Sequence, residues 1–313
     1  MFDLQTFIIA LVSLWIGSGI IVTTIDKLAK RLNISSFLIS FFVLGAATST
    51  PEFSVGINSI INQTPQIFVG TYVGGSLIIL LFIIPLLAII GNGVDLKHQI
   101  SPKNLIMTLS VIALPVILTL DQKLTLIDAL VLLSGYVCLY LFIKPDETLA
   151  DRFHFHHLFR DQLIFSDLVK VMAGTGLVFI AANKIVAETT RLAQIIDMSP
   201  FVVGLLMLAF GTNLPETAIA ARSALLKKKA VAFGNYLGSA AFNTLLLGIM
   251  IIFSGGYVVI ENHAVFTLTI FLVGLSLFFL FAKSKRVISR KEGLILLSLY
   301  LTIAVLEIYF NTR

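Results

Sequence analysis

The sequence predicts an all-α polytopic membrane protein: ten transmembrane helices arranged as two inverted five-helix repeats, with broken helices at the midplane. Three observations predict it. Of the 313 residues, 58% are hydrophobic and 12% are charged, against about 25% charge in an ordinary soluble domain. Apolar runs near the ~20 residues that cross the hydrocarbon recur along the chain. Two irregular polar stretches, "LGAATSTPEF" (Leu44 to Phe53) and "LAFGTNLPET" (Leu208 to Thr217), interrupt such runs in nearly the same way.

In order, the spans fall at residues 5–25, 34–61, 66–90, 104–120, 125–143, 164–190, 199–225, 231–254, 263–282 and 293–310. The first opens on "MFDLQTF", which has no basic stretch and no small-residue cleavage site, so it reads as a true helix rather than a leader. The second and seventh contain the irregular stretches, and the third and eighth are rich in glycine. The single cysteine, Cys138, sits in the fifth span and is expected to be an inert packed thiol, which leaves no disulfide framework or multi-cysteine metal site.

The formal charge of +5 is a matter of topology. Alternate connections on one side hold sixteen Lys and Arg residues and those on the other side four. The basic side is cytoplasmic. The expected location is the cell membrane, crossed many times, with both termini outside the cytoplasm. A nucleic-acid partner is not expected, nor an enzymatic activity or a cofactor; the expected partners are the lipid bilayer and transported cations, with the chain acting as a monomer.

The most polar connection, Lys144 to Asp161, lies near the midpoint. It divides the chain into a first repeat at 1–143, a connecting loop at 144–163 and a second repeat at 164–313, with ion-binding segments at 44–90 and 208–254. Five spans per half make the second half enter the membrane from the opposite side, the signature of an inverted repeat. Thr48, Pro51 and Glu52 match Thr212, Pro215 and Glu216 at an offset of 164 residues, and Gly70, Tyr72 and Gly74 match Gly234, Tyr236 and Gly238 at the same offset. His154, His156 and His157 in the loop are expected to be solvated rather than metal-binding.

Pro51 and Pro215 lack an N–H and crowd the carbonyl four residues back, so both helices should break or kink. The residues before them, Thr50 and Leu214, should be pushed out of the α conformation. Freed carbonyls in hydrocarbon need a partner, and a cation is one. Glu52 and Glu216 then begin the following half-helix, where its dipole favours a carboxylate. Each ionised acid at the bilayer centre costs roughly 2.5–3.5 kcal/mol, and two facing acids repel unless a cation or protons lie between them. With carbonyls and hydroxyls they make a hard-oxygen cage suited to Ca²⁺, with Na⁺ or protons as substitutes. Asn235, Ser239 and Asn243 share one side of the eighth span. They are candidates to ligate the ion or to orient the two acids, alongside plain structural hydrogen bonding. The paired glycines are spaced for close helix approach.

These residues resemble the two alpha repeats of the cation/Ca²⁺ exchanger superfamily, in particular the prokaryotic sodium/calcium exchangers. The family pattern is G-T-S-x-P-E followed by G-N-x-x-G-S-N-x-x-[ND]. The first copy here reads "AATSTPE" then "GTYVGGSLII", and the second "FGTNLPE" then "GNYLGSAAFN". The resemblance implies an antiporter that moves Ca²⁺ outward against Na⁺ by alternating access. It implies carboxylate ligands at Glu52 and Glu216, and backbone carbonyls at Thr48 and Thr212, with Gly45 and Ala209 one turn earlier. It further implies hydroxyls at Ser49 and Ser239 and an amide at Asn243, with the first and sixth spans sliding against the core.

Four positions depart from the pattern. Ile79 stands where the first repeat's Asn or Asp belongs, Gly75 where its Ser belongs, Thr71 for an Asn, and Asn213 for the second-repeat Ser. The Asn235–Ser239–Asn243 side can offer oxygens, whereas Thr71–Gly75–Ile79 offers one hydroxyl. Weaker Na⁺ dependence, or Ca²⁺/H⁺ exchange, is therefore the alternative. Ile79→Asn with Gly75→Ser should strengthen Na⁺ coupling. A channel, an intramembrane protease and a cation-binding protein that does not transport are the other classes weighed, and the sequence supports each less well.

Overall fold

The computed structural model describes residues 4–32, 35–91, 93–95, 100–143, 162–193, 200–226, 228–260, 264–284 and 287–311. The loop holding His154, His156 and His157 lies outside the described residues. The helices, in order, are α1 (Leu4–Leu32), α2a (residues 36–48) with α2b (Thr50–Ile61), α3 (Gln66–Ile90), α4 (Pro102–Leu118) and α5 (Leu126–Ile143). The second half follows with α6 (Gln162–Ala193), α7a (residues 200–212) with α7b (Leu214–Leu225), α8 (Lys229–Phe253), α9 (Ala264–Ser284) and α10 (Arg290–Asn311). Each of the ten expected spans thus has a helix. Among the described residues eight are long and apolar enough to cross a bilayer as they stand, α7a and α7b make a ninth bent by 43°, and α9 holds a shorter apolar stretch, Leu268–Ser284.

The breaks fall one residue earlier than expected. Thr50 and Leu214 are helical, and the irregular backbone sits at Ser49 (φ −81°, ψ 9°) and Asn213 (φ −87°, ψ 10°). Each proline therefore lies in the first turn of a new helix, where its missing N–H costs nothing. The distortion passes to the residue that joins the two half-helices. Pro51 leaves the Ala47 carbonyl without its amide partner, and the Thr50 hydroxyl donates to it at 2.6 Å. Leu214 has no hydroxyl to do the same for Gly211.

Two short ribbons show the inversion in the backbone. Strand β1 (Val94–Asp95) pairs antiparallel with β4 (Val287–Ile288), and β2 (Lys123–Thr125) pairs with β3 (Tyr257–Val259). The repeat offset carries β1 onto β3 and β2 onto β4, so each ribbon is the other's image with the repeats exchanged.

Helices α3 and α8 are the buried centre. Gly70 and Gly74 on α3 lie against the Phe201 and Leu205 carbonyls of α7a, and Gly234 and Gly238 on α8 lie against the Phe37 and Phe41 carbonyls of α2a. A side chain at any of the four would strike backbone, which is why the spacing recurs. Helices α1 and α6 pack along each other outside this centre. They share a separate apolar cluster that includes Ile21, Ile25, Val171 and Val178. Cys138 is exposed on α5 rather than packed, since so apolar a helix leaves most of its surface to lipid.

Candidate cation site

The two breaks bring the predicted polar residues to the middle of the molecule. Thr48, Ser49, Glu52, Thr212, Asn213, Glu216, Asn235, Ser239 and Asn243 are all buried, as are Gly45 and Ala209. Glu52 and Glu216 occupy the first turns of α2b and α7b.

Ser239 on α8 ties the halves together. Its hydroxyl donates to Glu216 Oε1 at 2.7 Å and lies 3.1 Å from the Ser49 hydroxyl, which itself donates to the Gly45 carbonyl at 2.8 Å. A serine has one proton to give. Either hydroxyl can donate across the 3.1 Å contact, but only by giving up its bond to Gly45 or to Glu216, so the three bonds compete for two protons. Thr48 donates to Asn235 Oδ1 at 3.1 Å. The Thr212 hydroxyl donates to the Ala209 carbonyl at 3.3 Å.

The carbonyls of Gly45 and Ala209 are occupied by their own turns. Gly45 receives the Ser49 amide and hydroxyl, and Ala209 receives the Asn213 amide N–H and side chain. Gly45 also has a steric role: a Cβ there would lie 2.7 Å from the Gly238 carbonyl carbon, so only glycine lets α2a lie on α8.

The remaining oxygens are open. Both carboxylate oxygens of Glu52, Oε2 of Glu216, and Oδ1 of Asn213 and of Asn243 are buried with no hydrogen-bond partner. Leaving one buried acceptor unpaired costs about 1–3 kcal/mol, more for a charged group. Five such acceptors, beside the unpartnered Nδ2 groups of Asn235 and Asn243, make a site able to take a bound positive charge. Among the described residues no three or more His, Cys, Asp and Glu side chains cluster as a metal site. A cation here would be held by two carboxylates and neutral oxygens, the ligand chemistry of Ca²⁺ and Na⁺ rather than of a transition metal.

Residues 2–144 and 167–309 each match the sodium/calcium exchanger protein family. The chain belongs to the sodium/calcium exchanger family. An uncharacterised membrane protein of Methanocaldococcus jannaschii is 26% identical over 298 residues, 94% of each chain. Sodium/calcium exchanger MaX1 of Methanosarcina acetivorans is 23% identical over 342 residues, 96% of this chain and 97% of that one. Inner membrane protein YrbG of Escherichia coli is 26% identical over 257 residues, 77% and 78% of the two chains. A solved structure of the sodium-calcium exchanger NCX_Mj shares the fold, with a TM-score of 0.77 at 24% identity over 96% of this chain and 97% of that chain.

In this exchanger-family chain, sequence reasoning missed two features, one beside Glu52 and one at the end of α1. Tyr72 served only as a repeat marker, yet its hydroxyl donates to the Glu52 carbonyl at 3.3 Å. Its counterpart Tyr236 is equally buried, with its hydroxyl unpartnered. The other feature is a pair of ionic ties at one end of α1. Asp26 meets Lys228 at 2.6 Å and Lys30 at 3.3 Å, and Arg31 meets the buried Asp167 of α6 at 3.2 Å. In the sequence these basic residues signal topology, and Asp26, one turn before Lys30, is the available clue to the tie.

Proposed function

We propose that this chain is a secondary antiporter that exchanges Ca²⁺ for Na⁺ by alternating access, with Glu52 and Glu216 jointly holding one divalent cation. The observation that carries the reading is the set of buried, unpartnered oxygens between the repeats: both of Glu52, one of Glu216 and the amide oxygens of Asn213 and Asn243. Thr48, Ser49, Thr212, Asn235 and Ser239 complete the wall, and the turns at Gly45 and Ala209 position it. Membership of the exchanger family supports this, and so does the exchanger named among the relatives. The site is drawn from both repeats of one chain, which supports function as a monomer.

Ca²⁺/H⁺ exchange is the second reading. Gly75 and the buried Ile79 leave the α3 face of the site with the Thr71 hydroxyl as its one side-chain oxygen among the three positions, and each Na⁺ must replace most of its hydration shell with ligands. Protons can neutralise the carboxylates without any cage. Reconstituting the protein and following radioactive calcium uptake separates the readings: an outward Na⁺ gradient should drive it if Na⁺ is the partner, an outward H⁺ gradient if protons are. Uptake under neither gradient would overturn both.

The topology that goes with this reading is a cell-membrane protein with repeats at 1–143 and 164–313 joined by a cytoplasmic loop at 144–163. A cysteine placed at Arg152 should resist an impermeant label applied to intact cells, and labelling there would reverse the orientation.

A further inference from the structure

Two of the departures from the family pattern meet in space. The repeat offset pairs Ser49 with Asn213 and Ser239 with Gly75. On one side of the site the Ser49 and Ser239 hydroxyls touch at 3.1 Å. On the other, a Cβ built on Gly75 would lie 3.1 Å from Asn213 Nδ2 and 2.8 Å from Asn243 Nδ2. The asparagine side chain has as many heavy atoms as two serine side chains. Asn213 over Gly75 therefore fills from one repeat the volume that a Ser–Ser pair fills from two, and volume-conserving exchanges are the ones that packed interiors tolerate.

The exchange changes chemistry as well as shape. Ser49 and Asn213 both donate to the carbonyl four residues back, at 2.8 Å to Gly45 and 2.8 Å to Ala209. For Ser49 that bond uses the only proton, and its oxygen is shared with Ser239. For Asn213 the bond fixes which way the amide points and leaves Oδ1 buried and free.

We propose that Asn213 and Gly75 act as one exchanged pair, in which the Asn213 amide oxygen reaches the cation from the second repeat and replaces the ligand that the first repeat lacks. The pair thereby determines ion specificity on that side of the site. This rests on the cation-exchange reading above. It also revises the expectation for Gly75→Ser: with Asn213 retained, the added side chain crowds both amides, which must shift from their places in the site.

A cycle of Gly75→Ser, Asn213→Ser and the double variant tests it, in purified and reconstituted protein. Each single variant should lose apparent Ca²⁺ affinity by about tenfold or more, as for a displaced or missing site group. The double variant should recover to within about threefold of the unaltered protein, the non-additivity expected of residues in contact. It should also show a steeper Na⁺ dependence of uptake, because a hydroxyl pair returns to each side. Losses that multiply in the double variant would overturn the pairing. If the unaltered protein takes up no Ca²⁺ under either gradient, the exchange reading fails, but melting temperatures without Ca²⁺ still decide the pair. Gly75→Ser should lower the melting temperature and Asn213→Ser should restore it; a persistent loss sinks the proposal. If Gly75→Ser does not fold, Gly75→Ala made with and without Asn213→Ser gives the same comparison.

Discussion

Tyr72 and Tyr236 stand at equivalent places in the two repeats and behave differently. The Tyr72 hydroxyl reaches the Glu52 carbonyl across Gly56, and a methyl group at Gly56 would fall on that hydroxyl and on Met250. In the second repeat the position of Gly56 is taken by Ala220, which carries that methyl. The Tyr236 hydroxyl has no partner, and Tyr236 and Ala220 line a cavity of about 180 Å³ beside the β1–β4 ribbon, along with Ile84, Gly93 and Val94. One methyl group distinguishes the two places: Gly56 leaves room for the Tyr72 hydroxyl, and Ala220 carries the Cβ that Gly56 lacks. Duplication copies a scaffold, and single substitutions then give its two copies different packing.

The two acids are where the repeats should be equal, and removing either is the largest change expected. Glu52→Gln or Glu216→Gln should each cut Ca²⁺ uptake by about a hundredfold or more, equivalent to ~2.8 kcal/mol of binding. Transport that survives in the double variant would end the idea of a shared divalent site. The serines come next. Ser239→Ala leaves Glu216 Oε1 unpaired and should cost about tenfold in apparent Ca²⁺ affinity, since hydrogen bonds to charged groups contribute ~1.5–3 kcal/mol. Ser49→Ala loses bonds to neutral partners alone, the Gly45 carbonyl and the Ser239 hydroxyl, so it should cost less; equal losses would mean that the hydroxyl pair acts as one ligand.

The tyrosine comparison predicts smaller effects on stability. Gly56→Ala should displace the Tyr72 hydroxyl and cost about 1–3 kcal/mol, the usual range for overpacking, read as a lowered melting temperature. Ala220→Gly permits the missing tyrosine bond, a gain of ~1 kcal/mol, but adds a helical glycine, a cost of roughly 0.5–1 kcal/mol. The two nearly cancel, and a clear stabilisation would show that the cavity strains the second repeat. The ionic tie from Asp26 to Lys228 is the smallest. Its counterparts by the repeat offset are Thr190 and Thr64, so the tie, which joins the first repeat to the second, has no ionic mate related by the duplication. Asp26→Asn should change stability by no more than about 1 kcal/mol, because the lysine is partly exposed. Salt that removes this difference without touching Ca²⁺ affinity would place the tie outside the site.

The sequence by itself determined the architecture and the identity of the polar residues. Hydropathy is set by the side chains alone, and a fixed offset between two Pro-Glu breaks requires no coordinates to see, so the ten spans, the duplication and the two acids were legible from Glu52, Glu216 and their neighbours. What the tertiary structure decided was which groups face one another. The shift of the breaks to Ser49 and Asn213 depends on where each proline settles in its new helix. The meeting of Asn213 with Gly75, and of Tyr72 with Gly56, depends on how closely α3 approaches its neighbours. Residues distant in sequence meet only through packing, and a glycine announces room without saying what will fill it.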